Sequence, residues 1–187
     1  MTSSICTLPD NPNLRRCYLP ERLRQIVLGA GHPWGAQAFF ARVPGVAEVV
    51  CGYANGTLPN ANFASVDSGK GAFCFAQRIK YDPDRLPLER LLEIFFLLID
   101  PCAKGHQGYD WGLPYRSGVY YTDERDLPVI EAIFQKVRGK APGRITTELL
   151  PLNHFVVAED EQQNYLERHP DAYCACDLGL LERIGDD

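Results

Sequence analysis

The stretch Gly29-Ala30-Gly31-His32-Pro33-Trp34-Gly35 places an imidazole where an apolar strand hands over to a helix. At such a junction the helix offers unpaired N–H groups and the positive end of its dipole to a neighbouring side chain. A histidine there can act as a base when neutral or as an acid when protonated. The competing reading is a tight turn and nothing more, with glycine for positive φ and Pro33 at the first helical position. Cysteine is the other reactive type. There are seven, Cys6, Cys17, Cys51, Cys74, Cys102, Cys174 and Cys176, an odd number with no C-x-x-C pair. Neither a disulfide framework nor a zinc knuckle is indicated. Cys174-Ala175-Cys176 is the only close pair, which suits either redox work or incidental placement. His32, His106, His154 and His169 share no ligand spacing, so no metal is expected, and no cofactor.

The elements that must position these groups follow from periodicity and turn residues. A strand is expected over 24–28, a helix over 36–42 closed by Pro44-Gly45, and strands over 46–53 and 73–81 separated by a polar loop. In the second of these strands Phe73, Phe75, Gln77, Ile79 and Tyr81 share one face, and Cys74 points to the other. An apolar helix over 87–99, an irregular stretch over 102–114, a strand over 115–121, a helix over 123–138, a strand over 146–152 and a helix over 158–168 complete the order. This β-α-β-β-α-β series with additions predicts an α+β fold with a ferredoxin-like split βαβ core, an α/β sandwich with extra helices and long loops. Residues 1–22, with Pro9, Pro12 and Pro20, read as an irregular arm, and 23–187 as a single domain.

Along this order the motifs Gly31-x-x-Trp34-Gly35, Pro44-Gly45-Val46, Gly52-Tyr53, Tyr81-Asp82-Pro83, Gln107-Gly108-x-Asp110-x-Gly112, Tyr115-Arg116-Ser117, Thr147-Glu148, Ala158-Glu159 and Tyr173-Cys174 appear. Together they resemble the A-type peptide methionine sulfoxide reductases, from about Ile26 to Cys176. The resemblance implies the same fold, and an active site with Tyr53, Asp110 and Tyr115 holding a sulfoxide oxygen. It also implies two departures. The family's nucleophilic cysteine, in Gly-Cys-Phe-Trp-Gly, corresponds to His32, which cannot enter the sulfenic-acid and disulfide ladder. The family's catalytic glutamate, in His-Ala-Glu, corresponds to Phe75. The aromatic pair that grips the methyl group becomes Pro33 and Trp34, and Cys174 matches a recycling cysteine.

These departures lead to an expected function. His32, Asp110, Tyr53 and Tyr115 become catalytic candidates, and Trp34, Pro33, Phe75 and Phe73 line the substrate cavity. The expectation is a non-redox acid–base enzyme, a cyclase, an isomerase or an epoxide- or ether-opening catalyst, working on a small, largely apolar metabolite that carries an oxygen. Two alternatives stand beside it: a non-catalytic protein that binds a ligand or peptide, and a residual peptide methionine (S)-S-oxide reductase that uses a displaced cysteine. The net charge of -5 argues against nucleic acid and anionic membrane as partners, since both need a concentrated basic surface. The longest apolar run, Leu91 to Ile99, is too short to span a bilayer, and the N-terminus lacks a secretory pattern, so a cytoplasmic protein is expected.

Overall fold

In the computed structural model residues 8–184 are described. Cys6 and the first seven residues of the expected arm lie outside them. The chain runs β1 (Arg24–Ala30), α1 (Pro33–Ala41), β2 (Val46–Ala54), α2 (Phe63–Asp67), β3 (Cys74–Tyr81), α3 (Leu88–Leu98), β4 (His106–Gln107), β5 (Asp110–Trp111), β6 (Ser117–Tyr121), α4 (Leu127–Arg138), β7 (Glu148–Pro151), β8 (Phe155–Val157), α5 (Tyr165–Arg168) and α6 (Leu181–Ile184). Six strands form one sheet in the order β7-β6-β1-β3-β2-β8. Among the described residues only β6 and β7 pair in parallel. The α+β architecture expected from the sequence is therefore present.

Alternation along the strands divides the interior. Ile26, Leu28, Ile79 and Tyr81 face α1, α3 and α4 and form the main core with Phe39, Phe40, Leu91, Phe95 and Ile130. Val27, Cys74, Ala76 and Tyr120 line the opposite face, where the period of two predicted Cys74 to be. Phe75 shares its face with Ile79 but lies beyond the helices. There it joins Cys51, Tyr53, Val66, Phe73 and Tyr115 in a separate aromatic cluster. The register sets this location. With Leu28 opposite Gln77, the chain leaving β1 reaches its turn at the Phe75 end of β3.

Several boundaries differ from the sequence expectation, each for a local reason. α1 starts at Pro33 rather than residue 36, because proline is pre-organised at the first helical position. The polar loop over 57–70 contains α2, nucleated by a capping box in which Asn62 and Ser65 satisfy each other's amides. Phe73 precedes β3, and Tyr115 belongs to a 3-10 turn held by Arg116, whose Nη1 donates to the Phe73 and Leu113 carbonyls. The expected helix over 158–168 is reduced to a 3-10 turn and the single turn of α5. β8, only three residues long, was hidden inside a segment too short to show a period. The described part of the arm is fastened to the end of α1. Asn13 donates to the Ala41 and Val43 carbonyls, and the Arg42 guanidinium donates to the Pro9 carbonyl at 2.6 Å.

Candidate functional site

His32 is the N-cap residue of α1, and its side chain is buried at 7% exposure. The turn before it needs glycine twice over. Gly31 has φ +81, and a Cβ there would meet Gln107 at 2.6 Å. Gln107 in turn clamps the end of α3, donating to the Asp100 carbonyl and accepting from the Asp100 amide, each at 2.9 Å. This clamp fixes the β4–β5 hairpin that carries Asp110.

Around His32 the rings converge. Trp34 meets it edge-on at 4.6 Å, Tyr115 stacks at 6.0 Å, and Tyr173 meets it edge-on at 5.4 Å. Trp34 lies flat against Tyr165 at 3.7 Å and nearly parallel to Phe63 at 5.9 Å, while its Nε1 donates to Gln162 at 2.9 Å. Phe75 sits among Tyr53, Phe63 and Tyr115 at 5.2 to 5.9 Å. Pro33 is buried behind the turn with its carbonyl toward Gln77 and Cys51. Phe73 is set further back, between Tyr53 and His154, where it fills the core under Gly56.

Three phenols surround this apolar floor, each hydrogen-bonded to a carboxylate. Tyr53 donates to Glu159 at 2.5 Å, Tyr115 donates to Asp67, and Tyr173 donates to Asp110 at 3.1 Å. Burial and the partner's hydrogen bond and charge raise the pKa of Tyr53 and Tyr115, and burial with the Asp110 charge pushes Tyr173 up to about 12. All three stay protonated at neutral pH. Burial opposes ionisation of Glu159, but hydrogen bonds from Tyr53 and the Phe63 amide outweigh it and hold the carboxyl below its usual range. Asp67 and Glu159 lie at the exposed rim while their phenols reach inward. Water can therefore replace a phenol at either carboxylate, leaving the hydroxyl to donate to a ligand.

His32 itself is held neutral. Burial lowers its pKa, and the charges of Asp110 and Asp67 only partly oppose this. Its Nδ1 is buried without a hydrogen-bond partner among the described residues. The sign of the pH linkage follows. The unfolded chain takes up a proton below about pH 6.5 that the folded imidazole refuses, so stability is complete above that pH and falls on acidification through the window beneath it. His32→Gln is expected to flatten that part of the stability profile in thermal melts. An unchanged slope would assign the acid sensitivity elsewhere.

The cysteines divide into two kinds. Cys51 and Cys74 are enclosed, and burial pushes their thiols up to about 12 and about 11. Thiols so shielded are poor nucleophiles. Cys174 and Cys176 instead lie against the first turn of α1. A Cβ built on Gly35 would stand 3.0 Å from the Cys176 Sγ and 3.1 Å from the Cys174 Sγ. Sequence reasoning did not single out Phe63, Asp67, Gln162 or Tyr165 for the site. It quoted Glu159 and Tyr173 only as parts of motifs. The Asn62/Ser65 spacing could have located α2, but nothing local tells which phenol its Asp67 meets. Among the described residues no group of three or more His, Cys, Asp or Glu is placed to hold a metal ion. Among the described residues no helix is long and apolar enough to cross a membrane.

An apolar floor ringed by protonated phenols, next to a helix start and a pair of sulfurs, is a receptacle for a small apolar group bearing a strong acceptor oxygen. The chain belongs to the peptide methionine sulfoxide reductase family, whose sequence profile matches residues 24–183. It is similar to peptide methionine sulfoxide reductase MsrA of Clostridium acetobutylicum, 37% identical over 161 residues, which cover 86% of this chain and 99% of that one. Among solved structures it resembles reduced Mxr1 from Saccharomyces cerevisiae, with TM-score 0.79 and 28% identity over 85% of this chain and 92% of that one. It also resembles methionine sulfoxide reductase A of Corynebacterium diphtheriae, with TM-score 0.74 and 32% identity over 83% and 79% of the two chains.

These relationships overturn the expectation of a non-redox cyclase, isomerase or epoxide- or ether-opening enzyme for a small metabolite. The relatives are sulfoxide reductases across almost the whole chain. The geometry supplies a physical reason as well. An acid–base histidine needs a partner that fixes its tautomer and steadies its charge. Here Nδ1 has none among the described residues, and Asp110 accepts from Tyr173.

Proposed function

We propose that this chain reduces methionine sulfoxide carried by a peptide, the S-epimer at sulfur that the family resemblance implies, and that the reducing thiol comes from the C-terminal segment instead of the turn. The reading rests chiefly on the placement of Cys174 and Cys176 beside the first turn of α1, where Tyr173 brings the same segment against His32. In this reading the methyl group lies on Trp34 and Phe75, and Tyr115 and Tyr53 turn their hydroxyls to the sulfoxide oxygen as Asp67 and Glu159 take up water. A thiolate attacks the sulfur. The S–O bond breaks, the oxygen passes to the attacking sulfur, and a proton is taken up, leaving a thioether and a protein sulfenic acid. His32 is a neutral wall at the N-cap position that keeps water from the reacting sulfur.

The test is reduction of a peptide containing methionine sulfoxide, with dithiothreitol as the external reductant and the thioether product measured. The wild-type chain should turn over and consume one sulfur epimer only. Joint Cys174→Ser and Cys176→Ser substitution should lower the rate at least about 100-fold, the usual scale for loss of a nucleophile. No turnover by the wild type, or full turnover by the double variant, would overturn the reading.

A further inference from the structure

Arg116, next to Tyr115 in the chain, is a largely buried cation. Its side chain is 12% exposed, and the guanidinium binds several segments of the chain at once. Nη1 donates to the Leu113 carbonyl at 2.9 Å and to the Phe73 carbonyl at 3.0 Å, and Nη2 donates to the Ala72 carbonyl at 3.2 Å. Nε stands 3.0 Å from a Glu148 carboxylate oxygen as an ion pair and not as an aligned hydrogen bond. The same oxygen accepts from the Tyr120 hydroxyl at 2.7 Å.

These contacts join a candidate oxygen-binding phenol to the wall beside it. Leu113 opens the 3-10 turn that ends on Tyr115, so Nη1 fixes the turn from which the phenol projects. Phe73 leads into β3 two residues before Phe75, whose ring lies 5.2 Å from that of Tyr115. Ala72 has φ +54, a conformation that non-glycine residues rarely adopt, and Nη2 holds its carbonyl. The Gly71 carbonyl beside it accepts from the Thr57 amide at 2.9 Å and so closes the base of the loop that carries α2. Asp67, which accepts from Tyr115, is placed by that loop. A planar fork of N–H donors can hold several carbonyls in one fixed geometry, which a single ammonium cannot.

We propose that Arg116 is a positioning residue for sulfoxide reduction. By tying the Leu113–Tyr115 turn to the Ala72-Phe73 entry of β3, it sets where the Tyr115 hydroxyl stands against Phe75, and hence against the sulfoxide oxygen. This rests on the reductase reading and goes beyond it, since Arg116 acts only through Tyr115. Loosening the tie lets the phenol shift while the apolar surfaces that hold the methyl group remain. The effect therefore falls on the step in which the oxygen gains charge, and a displacement of about 1 Å is enough to cost about 100-fold.

The experiment measures kcat and KM for a methionine sulfoxide peptide, with dithiothreitol as reductant, in the full-length wild type, Arg116→Lys, Tyr115→Phe and the double variant. Lysine keeps a positive charge beside Glu148 and gives up the fork. Arg116→Lys should lower kcat about 10- to 100-fold with KM within about threefold. In the Tyr115→Phe background, where the hydroxyl is already gone, the same substitution should cost no more than about twofold. A purely structural role gives a different pattern: the active fraction falls by the same factor in both backgrounds, and the losses multiply. If Arg116→Lys melts far below the wild type, Arg116→Gln, whose amide retains two donors, takes its place in the same cycle. Losses that multiply, wild-type kcat without Arg116, or failure of both variants to fold overturns the positioning role and leaves the reductase reading standing. No turnover by the wild type overturns both.

Discussion

Replacing His32 by cysteine is expected to raise the rate of methionine sulfoxide reduction by about 100-fold, the scale on which a roughly 1 Å improvement in placement acts. The N-cap position already points its side chain into the pocket, against Trp34 and Tyr115, with the unpaired amides of α1 beneath it. A thiol there gains the helix dipole, which favours a thiolate and disfavours an imidazolium. The gain should appear in kcat with a peptide substrate and dithiothreitol, and it should survive joint Cys174→Ser and Cys176→Ser substitution. If His32→Cys is no faster than the wild type, the reacting sulfur is not bound at the mouth of this turn. The Trp34, Phe75 and Tyr115 pocket would then lose its assignment.

Tyr115→Phe should have the opposite effect. Loss of one hydrogen-bond donor aimed at an oxygen that gains negative charge typically costs about 10²–10³ in kcat. The stability consequence should be small. Asp67, its carboxylate partner, is exposed and regains water, so the fold should lose no more than about 1 kcal/mol, the ordinary net worth of such a bond. The pairing of a large kinetic loss with a small shift in melting temperature is the diagnostic result. Wild-type kcat in Tyr115→Phe would mean that Tyr115 serves only to tie α2 to the pocket rim. Tyr53→Phe is a less clean comparison, because Tyr53 is fully buried and its bond to Glu159 fastens the segment after β8.

The course from sequence to function was legible in parts. The β1–turn–α1 junction could be read from glycine, proline and apolar spacing, because a helix start and a positive φ are local requirements. The opposed faces of Cys74 and Phe75 followed from the period of two. The inference that failed was the step from a substituted turn residue to a different chemistry. It assumed that a reactive group must arrive from the position a motif assigns to it. The thiols beside Gly35 come from a segment about 140 residues further along, and only the folded chain brings them there.

The sequence by itself determined the α+β class, the strand-to-helix turn with His32 at its mouth, and the placement of Tyr53 and Phe75 on strands. Each of these depends on the conformational preferences of a few neighbouring residues or on simple alternation. The tertiary structure alone decided which carboxylate each phenol meets, that Phe63 and Tyr165 flank Trp34, and that Cys174 and Cys176 share one floor. These pairs are separated by tens to more than a hundred residues. Strand order and loop path bring them together, and neither is written in local spacing.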